Sequence, residues 1–235
     1  MSKNITPYQD SNLGKKEQVA QMFDTISENY DGLNRVISFG TDAKWKKKIL
    51  KMVAAKQPKS ILDIATGTGD LAILFANTSA TEIIGLDISQ GMLDIGKKKI
   101  AAQHLDSKIQ MVLGDGENIP YPDNYFDAIT VAYGVRNFEN LEKGLSEILR
   151  VLKPNGTVLI QTPFKEDEIY EDYTITSETN RLLHFGQEDH VRIYSVDGLK
   201  KRLEKMHGII IDDDAVVASS AEFKLEFKNT DNKKR

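Results

Sequence analysis

Apolar positions recur along the chain with two different periods, and the period changes near residue 58. From Lys15 onward, Val19, Met22, Phe23 and Ile26 fall at the three- and four-residue spacing of one helix face. Asp42 suits the N-cap of a second helix, whose inner face carries Trp45, Ile49, Met52 and Val53. The lysines at 44, 46, 47, 48 and 51 then fall mostly on its outer face. Residues 1–14, polar and ending in Gly14, read as a loose terminus. Beyond Pro58, short apolar runs alternate with helical patterns. Ser60–Ile64, Thr81–Asp87, Ile109–Leu113, Phe126–Ala132 and Thr157–Gln161 read as buried strands. One intervening helix starts near Gly69 and one is capped by Ser89. A third carries Leu141, Leu145, Ile148, Leu149 and Leu152, and the turn Pro154-Asn155-Gly156 stops it. This alternation predicts an α/β fold: parallel strands, right-handed crossovers and helices on both faces. Ligands of such sheets bind at the carboxyl ends of the strands.

After Thr162 the texture changes. Residues 163–190 are polar, rich in Asp and Glu, and lack a strong period. Val196, Leu199, Leu203 and Met206 then mark a helix, and Gly208–Ile211 and Phe223–Phe227 a closing pair of strands. The segment Lys228–Arg235 is charged and reads as frayed.

Composition narrows the chemistry. The 235 residues hold 31 Lys plus Arg against 35 Asp plus Glu, a net charge of −4, which argues against a general nucleic-acid binder. The chain has no cysteine, so disulfides, thiolate-bound zinc, cysteine-ligated iron–sulfur clusters and a cysteine nucleophile are all excluded. No stretch approaches the ~18 consecutive apolar residues of a membrane span. The opening MSKNITPYQD lacks the apolar core of a signal peptide, so a cytoplasmic location is expected.

The sharpest local feature is Asp63-Ile-Ala-Thr-Gly-Thr-Gly-Asp70, at the end of the first strand. Gly67 and Gly69 allow a tight turn and close approach of a ligand to the backbone. Asp87 ends the second strand, where a carboxylate can accept both hydroxyls of a ribose. Gly67-x-Gly69-x-x-Ala72 with a downstream acid also satisfies the dinucleotide fingerprint, and a merely tight strand–helix turn is a third reading. Two features favour S-adenosylmethionine over NAD. Asp63, just before the loop, would repel a pyrophosphate but suits a ligand ammonium. Asp115, just after the third strand, can accept from the exocyclic amine of adenine. A lone adenosine with a charged amino-acid tail fits the three acids Asp63, Asp87 and Asp115 better than a dinucleotide does.

Four stretches in order resemble a class I methyltransferase: Asp63–Asp70, Gly85–Leu93 (GLDISQGML), Gly114–Asp127 (GDGENIPYPDNYFD) and Leu149–Gly156 (LRVLKPNG). Met22–Gly40 (MFDTISENYDGLNRVISFG), Trp45 and Ala132–Phe138 (AYGVRNF) resemble the signature of the menaquinone/ubiquinone biosynthesis C-methyltransferases. The similarity covers roughly residues 7–161. It implies a Rossmann-like domain with a mostly parallel seven-stranded sheet and N-terminal lid helices. The division would be lid helices 1–57, cofactor-binding core 58–162, divergent insert 163–194, and closing helix and strands 195–228. By the same resemblance Thr66, Asp87, Asp115 and Gly116 touch the cofactor, Gly67 and Gly69 shape its loop, and Ala132 offers it backbone. The implied reaction methylates a ring carbon of demethylmenaquinol, giving menaquinol and S-adenosylhomocysteine. The last third departs from that family: Tyr170–Ser177 and Phe185–Tyr194 resemble the tails of other class I methyltransferases.

A carbon acceptor needs electron density pushed onto its ring, which loss of a quinol proton supplies. Arg136 and Asn137 follow the fourth strand. Arg136 can stabilise a phenolate and orient a water, and Asn137 can hydrogen-bond the ring oxygen. Tyr30, in the lid segment, can contact the same oxygen. The competing readings are a loop salt bridge for Arg136, a local turn contact for Asn137 and plain packing for Tyr30. His184 and His190 with Asp189 suggest an acid-oriented base, against a local network in the insert; their spacing is weak for a metal. The runs Lys44–Lys51 and Lys97–Lys99 suit solvated helix faces, while an isoprenoid quinol substrate implies peripheral contact of the first run with anionic lipid. Other functions left open are methyl transfer to another small molecule and a non-catalytic protein that binds S-adenosylmethionine or S-adenosylhomocysteine. An NAD enzyme is disfavoured, because no second nucleotide-binding half is recognisable.

Overall fold

The computed structural model describes residues 13–37, 41–162, 170–171, 180, 192–193, 209–211 and 223–229. Two helices, α1 (Lys15–Ile37) and α2 (Thr41–Ala55), precede the first strand. The alternating part follows as β1 (Ser60–Ile64), α3 (Asp70–Phe75), β2 (Glu82–Asp87), α4 (Gln90–Ala102), β3 (Ile109–Leu113) and β4 (Phe126–Ala132). A short 3₁₀ turn (Gly134–Asn137), α5 (Leu141–Val151) and β5 (Leu152–Thr162) complete it. Later strands are β6 (Tyr170–Glu171), β7 (Arg192–Ile193), β8 (Ile209–Ile211) and β9 (Phe223–Asn229).

Seven strands form one sheet in the order β3-β2-β1-β4-β5-β9-β8. The first five pair in parallel; β9 runs antiparallel to β5, and β8 antiparallel to β9. The strand order reverses between β1 and β4, so their carboxyl ends diverge there into a crevice. Side chains alternate across the sheet. Ile61, Ile83, Ala128 and Leu159 pack on one face with Ile49 and Val53 of α2, Leu71 and Phe75 of α3, and Leu93 and Ile100 of α4. Leu62, Ile64, Ile129, Val131, Val158 and Ile160 pack on the other with Leu141, Leu145 and Ile148 of α5.

Several boundaries differ from the sequence reading. Helix α2 begins at Thr41, so Asp42 is its second residue rather than its N-cap. Ser89 does cap α4, its hydroxyl accepting from the Met92 N–H. Thr81 stays outside β2, its N–H donating to the Lys59 carbonyl. The Pro154-Asn155-Gly156 turn does not separate helix from strand. Leu152 already pairs with Phe126, the turn bulges out with Asn155 at φ 62°, and pairing resumes at Thr157 opposite Ala128. Strand β9 runs on through Lys228 and Asn229, where the charged sequence predicts fraying. Tyr170–Glu171 and Arg192–Ile193 form an antiparallel pair where no period was visible. The helix read at Val196–Met206 lies outside the described residues. Among those residues no helix is long and apolar enough to cross a membrane.

Candidate active site

The glycine loop leaves β1 through three residues in left-handed backbone: Ala65 (φ 54°), Gly67 (φ 57°) and Gly69 (φ 78°). A Cβ at Gly67 would meet only the Tyr30 ring, 3.8 Å away, so the loop's backbone faces open space there. At Gly69 a Cβ would lie 3.1 Å from Met111 Cε, so this glycine also lets the loop settle on β3. Asp63 underpins the turn. Its carboxylate accepts from Thr130 Oγ1 at 2.5 Å and Thr66 Oγ1 at 2.7 Å, and is almost wholly buried. Burial pushes its pKa up to about 6, against the lowering effect of both hydroxyls. Asp63 and Thr66 bond each other rather than line the cavity wall, so a ligand ammonium would reach Asp63 only through water or backbone.

A cleft of about 780 Å³, its solvent-filled mouth included, opens beside this loop. Its walls include Tyr30, Gly67, Asp87, Asp115, Gly116, Ala132, Arg136 and Asn137, so eight of the eleven candidate residues share it. Asp87 sits at the end of β2, 7 % exposed, and accepts from the Gly67 N–H at 2.7 Å and the Ser89 N–H at 2.9 Å. Burial raises its pKa, while those amides and the Ile88 amide pull the other way. With those amides bound, the carboxylate still keeps acceptor capacity for a ligand hydroxyl.

Helix α1 forms the facing wall, with Val19 and Phe23 beside Tyr30. Polar contacts fasten it in three places, none of which sequence spacing revealed. Near its start, Lys16 Nζ lies 2.6 Å from Asp115 and 3.2 Å from Glu117. Burial works to lower the Lys16 pKa, but its hydrogen bonds to both acids outweigh it, and the net direction is up. In the middle, Asp24 accepts from Ser89 Oγ (2.6 Å) and the Gly91 N–H (2.8 Å) at the start of α4. Further along, Asp31 accepts from Thr68 Oγ1 (2.6 Å) and Lys99 Nζ (2.9 Å). Lys99 also pairs with Asp70, as does Lys46 at 2.7 Å. These ammonium hydrogen bonds outweigh burial and lower the Asp70 pKa. Helical spacing puts Lys46 and Lys99 on solvated faces; Asp70 draws both inward. Lys47, Lys48 and Lys51 do face solvent.

At the far end of the cavity, β4 turns abruptly. Tyr133 adopts φ 61°, and the 3₁₀ turn behind it presents Arg136 and Asn137. Among the described residues, neither side chain makes a hydrogen bond or an ion pair, and Arg136 Nε is buried without an acceptor. The loop salt bridge and the turn contact considered for these residues are thus absent among the described residues. Tyr30 packs edge-on against Phe23, ring centroids 6.2 Å apart, above the glycine loop. His184, Asp189 and His190 lie outside the described residues, within which no three potential ligands cluster around a metal position.

This geometry can be set beside known proteins. Residues 11–174 match the model of the ubiE/COQ5 methyltransferase family. Demethylmenaquinone methyltransferase of Bacteroides fragilis is 49% identical over 158 residues, 66% of this chain and 64% of that enzyme. The Geobacter sulfurreducens ubiquinone/menaquinone biosynthesis C-methyltransferase UbiE is 40% identical over 160 residues, 67% of this chain and 62% of its own. The chain thus spans somewhat less than two thirds of these relatives' length. Among solved structures, the [4+2]-cyclase SpnF aligns with a TM-score of 0.68 at 23% identity, covering 86% of this chain and 75% of its own. A SAM-dependent methyltransferase from Aquifex aeolicus aligns with a TM-score of 0.64 at 22% identity, covering 88% and 98%. Identities this low establish the Rossmann-like fold and no more, and a cyclase among them shows that the fold does not dictate the reaction. The family match is stronger, because it spans most of the chain, including the glycine loop, Asp87, Asp115 and the Ala132–Phe138 turn. The chain belongs to the ubiE/COQ5 methyltransferase family.

Proposed function

We propose that the protein is an S-adenosylmethionine-dependent C-methyltransferase that converts demethylmenaquinol to menaquinol. The observation that carries this reading is Arg136: a guanidinium with no counter-charge among the described residues, on the wall of the cavity that also holds Gly67 and Asp87. A cation left open beside a nucleoside-sized site suits an acceptor that develops an oxyanion. The residues present also fit the cofactor. Asp87 offers acceptor positions to ribose hydroxyls, Asp115 and Gly116 flank the place for an adenine, and the backbone at Gly67 is open to close approach. Bound there, S-adenosylmethionine supplies an electrophilic methyl carbon on a sulfonium. Asp63 and Thr66 contribute from below by fixing the loop.

The chain's own groups then have distinct tasks. Arg136 stabilises the quinol oxygen and orients a water that takes its proton, which makes the ortho carbon nucleophilic; Arg136 itself stays protonated and is no base. Asn137 donates a hydrogen bond to the same oxygen, and Tyr30 closes the site from α1. Helix α1 serves as the lid, excluding water while its polar contacts hold. The exposed Lys47, Lys48 and Lys51 bring the protein to anionic lipid on the cytoplasmic face, where an isoprenoid quinol resides.

Incubating the protein and S-adenosylmethionine with an extract of demethylmenaquinone-accumulating cells tests the reading by mass spectrometry. A quinone heavier by one CH₂ is expected, and its absence refutes the acceptor. One observation favours a second acceptor class in that event: the family match ends at residue 174, so the C-terminal strands that would complete an acceptor pocket lie beyond it.

A further inference from the structure

Arg136 raises the question of what holds it. A partly buried guanidinium with an open Nε–H is unfavourable unless its surroundings fix it for a purpose. Among the described residues its one interaction is with the Tyr133 ring, whose centroid lies 5.8 Å from Arg136 Cζ. Tyr133 is gripped on several sides. Its N–H donates to the Gln161 carbonyl at 2.7 Å, and Gln161 Nε2 donates to its hydroxyl oxygen at 2.9 Å. One β5 residue, 1 % exposed, thus holds both the backbone and the tip of the ring. Trp45 of α2 meets the ring edge-on, with centroids 6.0 Å apart at 76°. The next residue, Gly134, leaves no room for movement: a Cβ there would lie 2.4 Å from Ala65 Cβ of the glycine loop. Tyr133 also sits at φ 61°, a conformation that disfavours a bulky residue and persists only where the surroundings over-determine it.

We propose that Tyr133 is a positioning residue: its ring, set by Gln161 and Trp45, holds the Arg136 guanidinium at the cavity wall with its N–H groups directed to an acceptor oxygen. This rests on the reading of Arg136 as the group that faces the acceptor. An aromatic ring is the right partner for that task. A carboxylate would fix the guanidinium equally well but would neutralise it, whereas a ring holds it and leaves its charge and donors to the ligand. The site therefore selects acceptors with an ionisable ring hydroxyl over their O-methylated counterparts.

The test uses the whole protein and the Arg136 Nε–H resonance, identified by its loss in Arg136→Lys. Tyr133→Leu removes the ring, and Tyr133→Phe keeps the ring but loses the Gln161 link. Tyr133→Gly removes the ring while relieving the left-handed backbone, which guards against a variant that fails only to fold. In the wild type the resonance is expected upfield of the other arginines. In Tyr133→Leu and Tyr133→Gly it moves to the ordinary position and exchanges with solvent about tenfold faster; in Tyr133→Phe it moves little. The kcat for quinol methylation falls about tenfold in Tyr133→Leu and Tyr133→Gly, with the Kd for S-adenosylhomocysteine held within about twofold. The proposal is overturned if the resonance stays in place in both ring-deleted variants. It is equally overturned if both keep wild-type kcat while Arg136→Lys loses it. If Arg136→Lys itself leaves methylation unchanged, the reading of Arg136 fails, and the resonance still decides whether Tyr133 positions it.

Discussion

Replacing Asp63 with asparagine should stabilise the protein at neutral pH although it removes a hydrogen-bonded carboxylate. The carboxyl lies under the glycine loop, paired in register with Thr130 of β4 and hydrogen-bonded by Thr130 and Thr66. Burial lifts its pKa from 3.8 to about 6, more than the two hydroxyls lower it. A rise of roughly two units at 1.36 kcal/mol each means that ionised Asp63 costs the folded state about 3 kcal/mol. Because the folded pKa is the higher one, this group's contribution is fully present below about pH 4 and is lost as pH rises through about 6. Asparagine carries no charge to bury and keeps one acceptor oxygen, while one threonine hydroxyl must turn to accept from its amide at a cost of about 1 kcal/mol. Asp63→Asn should therefore gain roughly 1–2 kcal/mol at about pH 8, and the gain should shrink to zero or reverse near pH 4. Urea unfolding followed by circular dichroism across that range gives the difference directly. A variant less stable than wild type at about pH 8, or a difference that does not change with pH, would refute the argument.

Two further outcomes follow from named contacts. Lys16→Met removes the contact between α1 and the Asp115–Glu117 pair; a partly exposed bridge of this kind is worth up to about 1 kcal/mol, so S-adenosylhomocysteine should dissociate up to about fivefold faster. Stopped-flow fluorescence of Trp45, the single tryptophan, reads this rate, which should rise with salt in the wild type and hardly in the variant. Gly144→Ala should destabilise the protein by about 1–3 kcal/mol although alanine is the better helix former: the new Cβ would fall 2.3 Å from Phe138 Cδ2, and overpacking outweighs a propensity gain of up to about 1 kcal/mol. An unchanged midpoint in thermal unfolding would show that Phe138 can yield.

The central strands were legible because parallel strands buried on both faces leave continuous apolar runs, and β1 and β4 fall where those runs do; β3 also falls where its run predicts, but as the edge strand it exposes Gln110 and Leu113. The β5 boundary was not, because a Pro-Asn-Gly turn looks the same whether it ends an element or bulges from one. The glycine loop, Asp87 and Asp115 could be read from spacing, since each sits at the carboxyl end of its strand. Spacing could not say which way Asp63 points; a signal was available in Thr130, one strand away in register, but only once β1 was known to pair with β4. Lys46 and Lys99 illustrate the same limit. Helical periodicity assigns a residue to a face, and a buried partner such as Asp70 then redirects a long side chain. The hydrogen bond by which Gln161 holds the left-handed Tyr133 joins residues 28 apart in the chain, beyond any local pattern.

Arg136→Ala, with methylation and cofactor affinity measured on the same preparation, tests the central claim most directly. The account predicts calorimetric binding of S-adenosylhomocysteine within about twofold of wild type, no binding of NADH by either protein, and quinol methylation slowed by about a hundredfold or more. Turnover equal to that of the wild type would remove Arg136 from the reaction and contradict the account.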